Sequence, residues 1–149
     1  MFDLELRSDP RVLPHVRQRL RTWLLERGWA EHQAGEVVLA VDEALSNVIR
    51  HGYGGRCNQR VLLSVAPLGP PDASTGVEVR VRDFSECVDL SQINGRPLDD
   101  VRPGGLGVHL IRAMMESVEY SHAPGGGLLL IMRKSKSHFA QTDVDGAAS

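Results

Sequence analysis

The stretch Val77-Glu78-Val79-Arg80-Val81-Arg82 alternates a branched apolar residue with a charged one. Successive side chains of an extended chain point to opposite faces, so the valines face a core while Glu78, Arg80 and Arg82 face water or a neighbouring surface. This is the clearest strand signal in the chain. On its N-terminal side the breaker-rich segment Pro67 to Gly76 (PLGPPDASTG) separates it from a second β-type run, Arg60 to Val65 (RVLLSV).

Further back the period becomes helical. Asp9-Pro10 opens a first helix, with Asp9 as cap and Pro10 pre-set for the first helical position; Val12, Val16, Leu20, Trp23 and Leu24 draw its apolar stripe as far as Gly28. A second helix starts between Ala30 and Ala34 and runs to Arg50, burying Val37, Val38, Val41, Leu45, Val48 and Ile49. Trp23 and Trp29 fit a core or the face of a homodimer equally well.

On the C-terminal side, Phe84 to Gly107 shows little periodicity and contains Pro97 and Pro103, which reads as a lid over a site. Gly107 to Met115 is a short helix. Ser117 to His122, a turn at Pro124-Gly125-Gly126, and Leu128 to Met132 form a hairpin, and residues 135–149 are a polar, small-residue tail beyond a domain spanning residues 1–134. The order of two helices, two strands, long loop, helix and two strands indicates an α+β class two-layer sandwich, a mixed or antiparallel sheet with helices on one face. Strict β-α-β alternation is absent, which argues against a doubly wound dinucleotide fold.

The 149 residues suit one domain. A net charge of −2 gives no basic excess for nucleic acid, no apolar run reaches the roughly 20 residues that span a bilayer, and MFDLELRSDP lacks the basic-then-apolar order of a secretory signal. Cys57 and Cys87 form no C-x-x-C pair and fit a reducing compartment; the expected location is the cytoplasm. His51, His109 and His122 lack the spacing of a metal site.

Three polar features carry chemistry. At about 100° per residue, Glu43, Asn47 and Arg50 stand within roughly 60° of one another on the second helix. They form either its solvated side or a working pair in which the Asn47 amide oxygen ligates Mg²⁺ and Glu43 orients or deprotonates an attacking hydroxyl. Pro103-Gly104-Gly105-Leu106-Gly107 precedes a helix, so its backbone N–H groups and the helix dipole make a phosphate cradle without a lysine, or else a flexible linker. It is neither a Walker A loop nor a Rossmann fingerprint. Asp83 ends the valine-rich strand, as a turn residue or as an acceptor for the amine of adenine.

Taken in order, Glu43-x-x-x-Asn47 with His51-Gly52-Tyr53, Asp83 after a strand, and Gly-Gly-Leu-Gly-Val-His-Leu-Ile at 104–111 resemble the GHKL ATP-binding superfamily, and more closely its anti-sigma factor serine/threonine kinases of the RsbW and SpoIIAB type. The resemblance covers roughly residues 5 to 134. It implies a four- or five-stranded mixed sheet with helices on one face, an ATP-Mg²⁺ site, Glu43 as the base for an acceptor serine, Asn47 as the metal ligand and Asp83 as the adenine reader. Nucleotide contacts would come from Asn47, Arg50, Asp83, Arg102, Gly104, Gly105, Leu106, Gly107 and Val108. The implied partners are a STAS-type anti-anti-sigma protein, which is phosphorylated, and a sigma factor. The family's Asp-x-Gly is here Asp83-Phe84-Ser85, where Ser85 brings a β-carbon and Phe84 bulk to a place that normally has neither. That departure keeps a second reading alive: a clamp for a sigma factor or STAS protein whose catalysis has decayed.

Overall fold

The valine side of the 77–82 alternation is buried: Val77, Val79 and Val81 are almost fully shielded from solvent, whereas Arg80 is exposed. The computed structural model describes residues 1–52, 59–70, 75–84 and 105–136, with the backbone alone at 51–52 and 105–109. The elements are β1 (Phe2–Arg7), a 3₁₀ turn (Pro10–Val12), α1 (Leu13–Glu26), α2 (Glu31–Asn47), a π turn (Val48–Gly52), β2 (Arg60–Leu68), β3 (Gly76–Asp83), α3 (Gly105–Met114), β4 (Ser117–His122) and β5 (Leu128–Ser135). The strands form one five-stranded sheet in the order β1-β2-β3-β5-β4, every neighbouring pair antiparallel. The sheet is therefore antiparallel rather than mixed.

β1 is the element that sequence reading missed. Its Phe2, Leu4 and Leu6 alternate with Asp3, Glu5 and Arg7, and the first three stand opposite Val65, Leu63 and Val61 of β2 on the inner face. At the end of β1, Ser8 is fully buried and holds the start of β2 through two hydrogen bonds, Ser8 N to Gln59 O at 2.8 Å and Gln59 N to Ser8 Oγ at 3.0 Å. β2 itself runs through Pro67, beyond the breaker boundary expected at Val65. Proline lacks the N–H of a ladder, but β1 pairs no further than Val65, so Pro67 lies where β2 has partners on the β3 side only.

α1 opens as expected: Asp9 Oδ1 accepts the Arg11 amide at 2.9 Å, and Pro10 begins the first turn. Leu13, Val16, Leu20, Trp23 and Leu24 make one buried stripe. α2 buries Ala34, Val37, Ala40, Val41, Ala44 and Leu45. Both stripes meet the inner sheet residues Leu63, Val79 and Met132 and the α3 residue Ile111 in one core. Full burial of each large aliphatic side chain contributes about 1.5–3 kcal/mol, which explains why the apolar period predicts the elements well. Trp23 and Trp29 both belong to this core, and the Arg27 guanidinium covers the Trp23 ring at 4.0 Å. The Arg17–Asp42 ion pair at 2.8 Å pins α1 to α2. Tyr120, on the inner side of β4, has its hydroxyl pKa pushed up to about 12 by burial against the opposing pull of Arg112.

The opposite face of the sheet carries Arg60, Glu78, Arg80, Arg82 and Arg133. Glu78 accepts from Arg80 Nε and from Arg133 Nε, each at 2.8 Å, the latter joining β3 to β5. The strand β5 continues to Ser135, and Lys136 Nζ donates to Arg27 O at 2.8 Å, closing the C-terminus of α1.

Candidate functional site

Glu43 and Asn47 are one turn apart on α2 and both half-buried. Leu39, one turn before Glu43 on the same side of the helix, is exposed, whereas Glu43 and Asn47 are half-buried, so this side becomes more shielded toward the C-terminal end of α2. The Asn47 side chain is unusual: its Oδ1 and Nδ2 are both inaccessible to solvent and neither has a hydrogen-bond partner among the described residues. A buried polar group left unpaired costs about 1–3 kcal/mol, so native chains rarely keep one without a use. An oxygen donor of this kind fits a hard divalent cation, with the amide N–H left for a further acceptor.

The regular helix ends at Asn47 and continues as the π turn. A π segment closes i→i+5 bonds, widens the coil and is frequent at functional sites. Arg50 lies in this turn and is exposed, whereas Glu43 and Asn47 are not; the three positions no longer share one environment. The helical path expected to reach Arg50 does so, but as a π turn rather than regular α-helix after Asn47.

Asp83 extends the inward alternation of Val77, Val79 and Val81 and is 2% exposed on the helix-facing side of the sheet. Its Oδ1 accepts the Leu128 amide at 3.0 Å. A solvated turn residue would not be buried in this way. Phe84 goes to the other face, where the guanidinium groups of Arg60 and Arg82 lie 4.8 Å and 4.6 Å from its ring centre. Its bulk is directed away from the side on which Asp83 lies.

Gly105, Leu106, Gly107 and Val108 form the first turn of α3 rather than a loop before it. The first N–H groups of a helix have no intrahelical partner and carry its positive dipole end, so the backbone there is suited to an anion. Arg102, Gly104, Ser85, Tyr53, Cys57, Cys87, most of the expected lid and the tail after Lys136 lie outside the described residues.

Lys134 shows how these pieces are oriented. Its half-buried side chain donates to Met114 O at the C-terminus of α3 at 2.9 Å and lies 3.5 Å from Glu36 Oε1 in the first half of α2. The two packed helices are therefore antiparallel, with this end of both at the Lys134 end of β5. From there α2 rises about 16 Å to Asn47, α3 runs back about 13 Å to Gly105, and β5 runs about 20 Å to Leu128 beside Asp83. Asn47 and the first turn of α3 thus lie at the same end of the antiparallel helix pair, and Asp83 lies at the end of β5 opposite Lys134. Sequence reading missed three contributors at that end, Arg82, Gly127 and the Leu128 amide. The run Gly125-Gly126-Gly127 signalled a turn but not what the turn touches.

This architecture, an antiparallel sheet with helices on one face and an unpaired asparagine amide at the end of a helix, is that of a GHKL-type ATPase domain. The sequence profile of the histidine kinase-like ATPase domain matches residues 6–134, and the chain belongs to that family. A serine-protein kinase RsbW from Oceanobacillus iheyensis is 22% identical over 97% of this chain and 90% of its own length. The RsbW of Halalkalibacterium halodurans is 30% identical over 82% of this chain and 75% of its own. Among solved structures, the SiaB–SiaC complex from Pseudomonas aeruginosa contains the same fold, with a TM-score of 0.59, 16% identity, and coverage of 89% of this chain and 88% of that one.

Proposed function

We propose that the protein is an ATP-dependent protein serine kinase and anti-sigma regulatory factor of the cytoplasm, which phosphorylates a STAS-type anti-anti-sigma partner and alternatively binds a sigma factor. Family membership implies an ATP site, and the relatives named above are serine-protein kinases. The observation that carries the reading is the buried, unpartnered amide of Asn47 one turn from Glu43. Asn47 would hold Mg²⁺, Asp83 would accept the amine of adenine, and the first turn of α3 with Arg102 and Gly104 would meet the phosphates, Arg50 adding charge at the rim. Bound magnesium supplies charge neutralisation on the phosphate oxygens.

In the reaction the acceptor serine oxygen forms a bond to the γ-phosphorus, the bond to the β–γ bridging oxygen breaks, and ADP leaves. Glu43 would take the serine proton, a contribution of about 10²–10⁴-fold. No helix among the described residues is long and apolar enough to cross a membrane. Radiolabelled ATP with a cognate STAS protein tests the assignment. Wild type should transfer phosphate, while Glu43→Gln should lose at least about 100-fold in rate and keep its affinity for ATP. Full activity in Glu43→Gln removes the base role. Calorimetry showing no nucleotide binding by wild type, even at millimolar ATP with Mg²⁺, would leave the decayed clamp as the function.

A further inference from the structure

The β4–β5 turn is bonded to the end of β3 on both faces of the sheet. Arg82, on the outer face, donates through Nη2 to Pro124 O at 2.8 Å and Gly126 O at 3.2 Å, two carbonyls of that turn. Its guanidinium also covers Phe84. Between these outward residues the Asp83 carboxylate points inward and accepts the Leu128 N–H, the first amide after the turn. Gly127 sits between the two contacts with φ of 85°, and a β-carbon there would overlap the Asp83 carbonyl oxygen and stand 2.8 Å from the Phe84 Cα. Only glycine combines the left-handed backbone with that approach. Neighbouring Gly126 has φ of 112° but open space where its β-carbon would be.

We propose that Arg82 and Gly127 are positioning residues for base selection: the turn they dock sets the backbone and carboxylate of Asp83 so that it accepts a donor from the 6-amino group of adenine and opposes the 6-oxo group of guanine. This rests on the reading of Asp83 as the adenine contact. The chemistry is that of a buried acceptor, which favours a base offering N–H and disfavours one offering a lone pair. A carboxylate free to turn would lose that discrimination. Arg82 and Leu128 oppose this freedom from opposite faces, and Gly127 allows the strands to come close enough for both.

Binding of ATP and GTP, each with Mg²⁺, is measured by calorimetry on the full chain, with thermal melting as a check of folding. Wild type should prefer ATP by about tenfold or more, the scale of one hydrogen bond to a charged group. Gly127→Ala and Arg82→Met should each reduce that preference at least about fivefold, while Arg82→Lys, which keeps a donor, retains most of it. Gly126→Ala, strained in the same backbone region but without the contact, should keep the wild-type ratio. In nucleotide-free protein, the Leu128 amide should exchange with solvent at least about tenfold faster in Gly127→Ala than in Gly126→Ala. If Gly127→Ala does not fold, Arg82→Met against Arg82→Lys decides. Unchanged base preference in folded Arg82→Met, or in folded Gly127→Ala whatever its Leu128 exchange rate, overturns the positioning role and leaves the kinase reading standing. Wild-type protein that binds neither nucleotide overturns the kinase reading and this inference together, a different result from an intact preference that ignores the turn.

Discussion

Asn47 shows at the scale of one residue what folding does to a sequence signal. The spacing Glu43-x-x-x-Asn47 was legible because helix geometry is periodic. The burial of the amide was not, because α3, which packs on α2, begins 58 positions later in the chain, at Gly105. An unpaired buried amide lowers stability by about 1–3 kcal/mol, whereas an apolar side chain of similar shape leaves nothing unsatisfied. Asn47→Leu should therefore melt higher than wild type in the absence of nucleotide, by about 2–4 °C per kcal/mol recovered, and should lose Mg²⁺-dependent ATP binding. Scanning calorimetry and titration calorimetry on the same preparations check both. A lower melting temperature would show the amide to be structurally used. Asp83 was legible only as a carboxylate after a strand. Its inward direction follows from the valine alternation carried two residues further, but its depth depends on the β5 hairpin closing over it.

At the scale of elements, apolar period revealed α1, α2 and α3 and the strands β2 to β5, and it failed where local signals conflicted. β1 is six residues long and half of it is charged, so its apolar side counts only once paired with β2. The glycines at 105 and 107 suggested a loop, yet the chain is already helical there, because packing against α2 outweighs a helix propensity loss of about 1 kcal/mol per glycine. The β3–β5 pair also carries a pH dependence. Burial pushes the Glu78 carboxyl up, but the hydrogen bonds from Arg133 and Arg80 outweigh it and hold the group below the ordinary glutamate value of 4.5. A depressed folded-state pKa gives stability that is fully present above the unfolded value and is lost as the pH falls through the folded one. Urea unfolding should accordingly show wild type more stable than Glu78→Gln at pH 7, with the difference shrinking progressively below about pH 4.5. A difference that holds constant into acid would mean that the glutamine replaces the ion pair.

At the scale of the whole molecule, the layers are tied at one end, and the proposed nucleotide site lies away from that tie. Lys134 joins the C-terminus of α3 and the first half of α2. At the far end of α2, the Asn47 amide has no hydrogen-bond partner among the described residues. If Mg²⁺ and ATP complete that end, binding must stabilise the fold by linkage, about 2.7 kcal/mol at a ligand concentration one hundred times Kd. That corresponds to a rise in melting temperature of about 5–11 °C for a domain of this size, and EDTA should remove the magnesium-dependent part. Lys134→Met tests whether the two ends act independently. Removing a charged donor that bonds a helix terminus should lower the nucleotide-free melting temperature, through the loss of about 1.5–3 kcal/mol. Sites this far apart without shared partners contribute additively to within about 0.5 kcal/mol, so the rise produced by Mg-ATP in Lys134→Met should match that of wild type. A rise that disappears in the variant would show the Lys134 tie to be part of the nucleotide site's own alignment, with α2 and α3 moving as one lever.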